Sequence, residues 1–292
     1  MTPRSAPYAR AGSKLQLAPW ILSSASRIPH EKWGEVFVGT CSVTLCKERT
    51  HWEFLNDRDQ WISGFLMVLR DRAQKAELLR RLRYSAWETA DFNRCCKTIK
   101  GELPAPVAPV ERACVFLVNN QQSYNKSGRT HSICDTNSGI PKWKRIHEHI
   151  EFMAARIRDC AVLCKDYGEA LHMPEVDDPR MLVYADPPYL DVEKTFYSVN
   201  KREGFDHRAF RESLDRCQAS LLVSYERDPN GEVLDLYKPG DGWRVDDKRV
   251  TRSLGNKGKE ATELLFIRMS DWARERAPRW RIKRVRDMFD DE

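Results

Sequence analysis

Asp186-Pro187-Pro188-Tyr189 holds the residue types in this chain best suited to chemistry. It follows the apolar run Leu182-Val183-Tyr184-Ala185, which reads as a buried strand. Prolines have no N–H to give a sheet ladder, so Pro187 and Pro188 end that strand. In an α/β sheet the tetrapeptide then falls at the carboxyl edge, where ligands bind. The paired prolines also leave backbone carbonyls without competing N–H groups beside them. A carboxylate, rigid carbonyl acceptors and an aromatic ring together suit capture of a planar, amino-bearing group such as a nucleobase. A plain Pro-Pro turn with a packed tyrosine would use the same four residues, so the rest of the chain decides.

The elements that must position this turn read as follows. Residues 1–13 are rich in Pro, Ala and Ser and read as extended. Lys14 to Ile28 fits a helix, with Pro19 inside its first turns. Glu35-Val36-Phe37-Val38 reads as a short buried strand ending at Gly39, with a helix following through Val43 and Leu45. Trp52 to Leu55 reads as a second strand ending at Asn56-Asp57. Strand, turn, helix, strand is the opening of a doubly wound sheet. Residues 61–83 read as one helix, and 99–110, with three prolines, as a linker. Cys114 to Val118 reads as strand or buried helix. Asn119 to Pro141 is polar and reads as an exposed hairpin or loop. Trp143 to Ile157 returns to helix, and Ala161 to Cys164 to strand. Beyond the tetrapeptide, 206–217 reads as helix, and Ser220–Tyr225, Trp243–Val245 and Leu264–Ile267 as strands. Residues 274–286 hold seven Arg or Lys and one acid, Glu275.

The chain's 292 residues suffice for one large domain or a domain with a sizeable insert. A hydrophobic content of 41% supports a core and excludes a disordered chain. The net charge of +6 suits a polyanionic partner without requiring one. Nine cysteines include no Cys-x-x-Cys pair, so no zinc site is expected; they read as reduced thiols of a cytoplasmic protein. No apolar segment is long enough for a membrane span.

Four further segments bear on function. Gly12-Ser13-Lys14 precedes a helix, a place for an anion such as a carboxylate or an ordinary helix start. Gly39 follows the first strand and lets the backbone approach a ligand closely. Asp57, eighteen residues on, is placed to bond ribose hydroxyls, to cap the next helix, or both. Asp166-Tyr167 follows a strand and either meets an adenine ring or closes a turn.

The order Gly-Ser-Lys, Phe-Val-Gly, Asn-Asp, long insert, Asp-Tyr, Asp-Pro-Pro-Tyr resembles the Dam-like adenine-N6 DNA methyltransferases (D12 class, alpha group). The resemblance extends through Gly204-Phe205-Asp206-His207, Leu221 to Tyr225 and Glu263 to Ile267, covering roughly residues 8–269. It implies an α/β, doubly wound Rossmann-like methyltransferase sheet, residues 1–57 and 158–270, binding S-adenosylmethionine. It implies a mostly helical target recognition insert at 58–157 and a basic tail at 271–292. Carried over by position, Tyr8, Arg10, Gly12, Lys14, Phe37, Gly39, Asp57, Asp166 and Asp186 contact the cofactor or shape its pocket. Asp186, Pro187, Pro188 and Tyr189 hold the adenine: Asp186 and the Pro187 carbonyl accept the amine hydrogens and Tyr189 stacks on the base. The target base must leave the duplex for this to happen. Tyr124, Asn125, Lys126 and Arg129, in the polar stretch, are the candidate DNA contacts. The expected partner is double-stranded DNA, and the protein a monomer or weak dimer.

Three positions depart from the family pattern. Arg10 stands where an aromatic is usual, with Tyr8 as the candidate substitute; Val36 stands for proline, and Cys41 for a second glycine. A sulfur at Cys41 would narrow the cofactor pocket. These departures keep a catalytically decayed DNA-binding relative open as an alternative, beside a cytosine-N4 methyltransferase. A small-molecule methyltransferase is disfavoured by the large polar insert.

Overall fold

A computed structural model describes residues 5–10, 12–83, 89–123, 139–190, 204–237, 242–254 and 257–277. In chain order the elements are α1 (Ala18–Ala25), β1 (Lys32–Glu35), α2 (Ser42–Cys46), β2 (Trp52–Asn56), α3 (Gln60–Arg70), α4 (Arg72–Arg83), α5 (Thr89–Ile99), α6 (Pro109–Gln122), α7 (Gly139–Ile157) and β3 (Ala161–Leu163). They continue with α8 (Tyr167–Leu171), β4 (Met181–Ala185), α9 (His207–Arg216), β5 (Ser220–Glu226), α10 (Glu232–Tyr237), β6 (Trp243–Leu254), β7 (Lys257–Arg268) and α11 (Asp271–Arg276). The chain divides into two compact units, one drawn from 1–18, 39–48 and 57–164, the other from 19–38, 49–56 and 165–292. The backbone therefore passes between units after residues 18, 38, 48, 56 and 164.

Among the described residues, six of the seven strands belong to the second unit and lie in the order β2-β1-β4-β5-β7-β6. β1 pairs in parallel with β2 and β4, and β4 with β5. β7 runs antiparallel to both β5 and β6. From β1 the chain goes first to β2 on one side and later to β4 on the other. That reversal between β1 and β4 is the switch point at which doubly wound sheets bind ligands. Every residue of β4 is buried, as a strand covered on both faces requires. On β1, Gly34 sits opposite Phe54 of β2, and a Cβ there would lie 1.8 Å from the Phe54 ring. Glycine is thus required by the ring that covers it, not by its backbone angles.

The first unit is mostly helical. α6 packs against α3, α4 and α5, and α7 against α2, α3 and α4. Phe65 of α3 meets Phe116 of α6 at 5.4 Å between ring centroids. The apolar segment at Cys114–Val118 is helix rather than strand. Pro109, preset for a first helical position, starts α6, and Phe116, Leu117 and Val118 are buried.

The structure corrects several boundaries. The helix expected at 61–83 is two helices, because Asp71 interrupts it with extended backbone and accepts a hydrogen bond from the Gln74 N–H at 2.8 Å, starting α4. The helix expected from Lys14 begins at Ala18, with Pro19 in its first turn. The first strand is Lys32–Glu35 and not Glu35–Val38. Its ladder is set by pairing with β2 and β4, and Val36 and Val38 add only single backbone bonds, to Tyr184 and Asn56. The strands expected at Trp243–Val245 and Leu264–Ile267 are the ends of a twelve-residue pair, β6 and β7. The polar stretch from Asn119 to Pro141 is helical at both ends, closing α6 and opening α7. Tyr124, Asn125, Lys126 and Arg129 lie outside the described residues.

Candidate active site

The tetrapeptide follows β4 as the sequence led one to expect. Ala185 is the last strand residue, Asp186 and Pro188 are half-buried, and Pro187 and Tyr189 are buried. Ser224 of β5 donates to Asp186 Oδ1 at 3.0 Å, and Tyr184 and Ser224 share a hydrogen bond at 2.9 Å. Tyr189 donates to Glu263 Oε2 on β7 at 2.9 Å. One face of its ring lies against Tyr225, with centroids 5.9 Å apart and planes 30° from parallel. His207 Nδ1 is 3.0 Å from the Tyr225 hydroxyl. Burial, then the charge of Asp186, push the Tyr184 and Tyr189 phenols well above their usual value, so both remain donors.

Phe37, just past β1, belongs to an aromatic cluster of the second unit. It lies 6.0 Å from Tyr167, 5.8 Å from Phe205 and 5.5 Å from Phe210. Phe37, Tyr167 and Phe205 are half-buried, while Phe210 is fully covered. Asp166 caps α8, accepting from the Gly168 N–H at 3.0 Å.

The remaining candidates gather in the first unit around a tight turn. Gly39 has φ +47° and Cys41 φ +57°. The Gly39 N–H donates to Asp57 Oδ2 at 2.9 Å, and the Tyr8 hydroxyl donates to the Gly39 carbonyl at 2.7 Å. Asp57 Oδ1 accepts from the Asp59 N–H at 2.9 Å. Asp57 therefore does not cap the next helix; Asp59 does, accepting from the Trp61 N–H at 2.9 Å. Arg10 pairs with Asp59 at 2.9 Å. Burial raises the Asp57 carboxyl above its usual range, and Arg10 with the two backbone N–H groups pulls it back in part. Burial, then Cys41 and Asp57, hold the Tyr8 phenol well above its usual value. Gly12, with φ +83°, offers its carbonyl to the buried Lys14 ammonium at 3.0 Å, and Ser13 Oγ lies 3.2 Å from Thr40 Oγ1 and 3.1 Å from Ser42 Oγ.

The structure thus brings Tyr8, Arg10, Gly39 and Asp57 into one hydrogen-bonded group, with Gly12 to Lys14 joined to it through Ser13. Phe37 and Asp166 belong to the other unit. Cys41 has no exposed surface, so its side chain acts through packing. Several residues of the site escape sequence reasoning. Asn120 clamps the backbone of Ala9, donating to its carbonyl at 2.7 Å and accepting from its N–H at 3.1 Å. Asp59, Phe205, Ser224 and Glu263 likewise take their roles only in the fold. Phe205, Ser224 and Glu263 had a signal, their places in the segments 204–207, 221–225 and 263–267; Asp59 had none, since its partner Arg10 lies 49 residues away.

A parallel sheet reversing beside a carboxylate-Pro-Pro-aromatic turn defines an α/β enzyme of the amino-methyltransferase type. Residues 11–250 match the D12 class N6 adenine-specific DNA methyltransferase family, and the chain belongs to that family. Its activity is methylation of adenine N6 in DNA, and the adenine specificity of the family sets aside the cytosine-N4 alternative. No curated protein matches the chain. Among the described residues no helix is long and apolar enough to cross a membrane.

Proposed function

We propose that the protein, a monomer or weak dimer, moves a methyl from S-adenosylmethionine to adenine N6 in double-stranded DNA, on a base turned out of the helix. The observation that carries this reading is Asp186: a half-buried carboxylate just beyond β4, at the sheet's switch point, with one oxygen held by Ser224. Adenine N6 is a poor nucleophile because its lone pair is delocalised into the ring. Asp186 and the Pro187 carbonyl accept its two hydrogens and favour a localised lone pair, a matter of position and electrostatics. Tyr189, its hydroxyl tied to Glu263, supplies a fixed ring beside the base. Extruding the base costs a few kcal/mol, which stacking and hydrogen bonds offset.

The residues fit the cofactor in kind. At Gly39, where φ is positive, a Cβ would meet nothing within 4 Å, so the backbone is open to a ligand. In the first unit Tyr8, Arg10, Gly12, Lys14, Gly39 and Asp57 are the candidates for its polar parts; in the second, taken by itself, the half-buried rings of Phe37 and Tyr167, next to the Asp166 that caps α8, are of the kind that takes a planar ring. The cofactor supplies an electrophilic methyl on a sulfonium.

Residues 1–57 and 158–270 form the catalytic part in this reading, and 58–157 the target recognition insert. Support comes from α4, where Arg72, Lys75, Arg80 and Arg83 line a cleft with the single acid Glu151, a basic face suited to phosphates. The basic tail at 271–292 and Tyr124, Asn125, Lys126 and Arg129 of the polar stretch are the further DNA contacts in this reading. A DNA substrate is also what supports a cytoplasmic location.

The test is mass analysis of nucleosides from unmethylated DNA incubated with the protein and S-adenosylmethionine. N6-methyladenine is expected from the wild type and none from Asp186→Ala, with DNA binding retained. Normal turnover by Asp186→Ala would refute the assigned role.

A further inference from the structure

The sheet core behind Asp186 contains two hydroxyls where apolar side chains would pack at lower cost. Tyr184 and Ser224 are each about 1% exposed. A buried hydroxyl is unfavourable unless it is hydrogen-bonded. Here both are, in a single line that ends on Asp186: Tyr184 Oη to Ser224 Oγ at 2.9 Å, and Ser224 Oγ to Asp186 Oδ1 at 3.0 Å. The register places them. Tyr184 pairs with Leu222 and Ala185 with Val223, so the next step along the parallel pair sets Ser224 beside Asp186. Tyr184 and Asp186, two residues apart, project to the same face.

The direction of the line is fixed by counting hydrogens. An ionised Asp186 can only accept. Ser224 has one hydroxyl hydrogen and gives it to Asp186. The shared bond with Tyr184 must then run from the tyrosine to the serine. Tyr184 in turn is held by its ring, which stacks on Trp33 of β1 at 6.3 Å with the planes 9° apart.

We propose that Ser224 is a positioning residue for Asp186, and Tyr184 for Ser224, so that a two-hydroxyl relay from the sheet core sets the carboxylate that receives the amine. This rests on the reading of Asp186 given above. The relay commits Oδ1 to the protein and fixes the rotation of the carboxyl group. The oxygen that meets the adenine amine is thereby chosen before substrate arrives. Neither hydroxyl touches substrate. Their loss alters the rate and leaves binding alone.

Steady-state methylation of unmethylated genomic DNA by the full chain tests this, with wild type, Asp186→Ala, Ser224→Ala, Tyr184→Phe and the Ser224→Ala/Tyr184→Phe double variant. Ser224→Ala is expected to lower kcat about ten- to a hundredfold, the scale of a misplaced reacting group, with KM for S-adenosylmethionine and DNA changed less than about threefold. Tyr184→Phe is expected to lower kcat about three- to tenfold and to add nothing in the Ser224→Ala background, because the relay is then already cut. Restoring a hydroxyl with Ser224→Thr recovers rate. A merely structural role predicts the opposite: lost thermal stability, additive variants and no recovery by threonine. Should Ser224→Ala fold poorly, Tyr184→Phe, which removes one atom, decides. Ser224→Ala or Tyr184→Phe within twofold of wild-type kcat, with Asp186→Ala inactive, overturns the relay and spares the reading of Asp186. A wild type that leaves adenine unmethylated overturns both.

Discussion

Cys41 provides a test of how far backbone geometry, rather than side-chain chemistry, governs the turn at Gly39. Its φ of 57° and ψ of 21° lie in the left-handed region, which costs an L-residue about 1–2 kcal/mol. The residue is fully buried and its carbonyl accepts from the Leu45 N–H at 2.9 Å, so the conformation is locked into the start of α2. Consider Cys41→Ala and Cys41→Gly together. Both lose the sulfur, so that term cancels. Going on from Ala to Gly loses about 0.8 kcal/mol for one buried carbon. It also costs about 0.5–1 kcal/mol in chain entropy. At an ordinary buried site the glycine variant is therefore worse by about 1.5 kcal/mol. At Cys41 release from the left-handed penalty returns about the same amount, and the two variants should nearly coincide. Cys217 is the internal control. It is buried and lies at φ −76°, ψ 135° after α9, where both substitutions are conformationally allowed. Urea unfolding is the assay. With an m-value near 3 kcal/mol per molar, a 1.5 kcal/mol gap appears as about half a molar in midpoint. The gap between Ala and Gly should be that large at Cys217 and close to zero at Cys41. Equal gaps at the two sites would refute the strain argument.

Gly34→Ala should destabilise the protein by about 1–3 kcal/mol, because the new carbon lands 1.8 Å from the Phe54 ring; a thermal melt checks it, and Phe54→Leu in the same chain should recover part of the loss. Asp178 is bonded first by Arg180 and also by Lys32, which hold its carboxyl far below the usual 3.8. A depressed carboxyl contributes stability above its unfolded value and loses it as pH falls further. Asp178→Asn should accordingly flatten the fall in stability below about pH 4, as a series of urea midpoints against pH would show. Neutralising Lys126 and Arg129 together should weaken DNA binding and lower the steepness of its log–log salt dependence by about 2, and an unchanged slope would remove that stretch from the interface.

The parts of the fold that could be read from the chain are those whose signals are local. Leu182 to Tyr189 combines an apolar run with prolines that stop it, and β4 and its turn fall there. Gly39 and Asp57 declare themselves by residue type, and the structure joins them in one hydrogen bond. Three things were hidden. The break between α3 and α4 depends on which acid caps, and Asp71 looks like any surface aspartate. The outer half of the β6–β7 pair is rich in charged residues, so its pattern resembles a loop until the register is known. The hydrogen bonds that hold Asp186 and Tyr189 come from Ser224 and Glu263, 38 and 74 residues away. No periodicity reports a contact across that distance, because it is fixed by strand order. The Asp57 capping role was misplaced for a related reason: two acids stand two residues apart, and only the geometry shows that Asp59 meets α3 while Asp57 turns back to Gly39.

Five crossings of the backbone make the two bodies inseparable in a way that matters for engineering. Neither is encoded by a contiguous stretch, and a protease nick at any one junction leaves four others intact. Replacing residues 58–157, the proposed recognition insert, with a relative's segment would put foreign residues in place of Asp59 and Asn120. Arg10 and Ala9 depend on those two for their ion pair and their clamp. A successful graft would carry the native partners Tyr8 to Lys14 and Gly39 to Ser42 along with it, so a chimera in this protein must be sewn from at least three pieces.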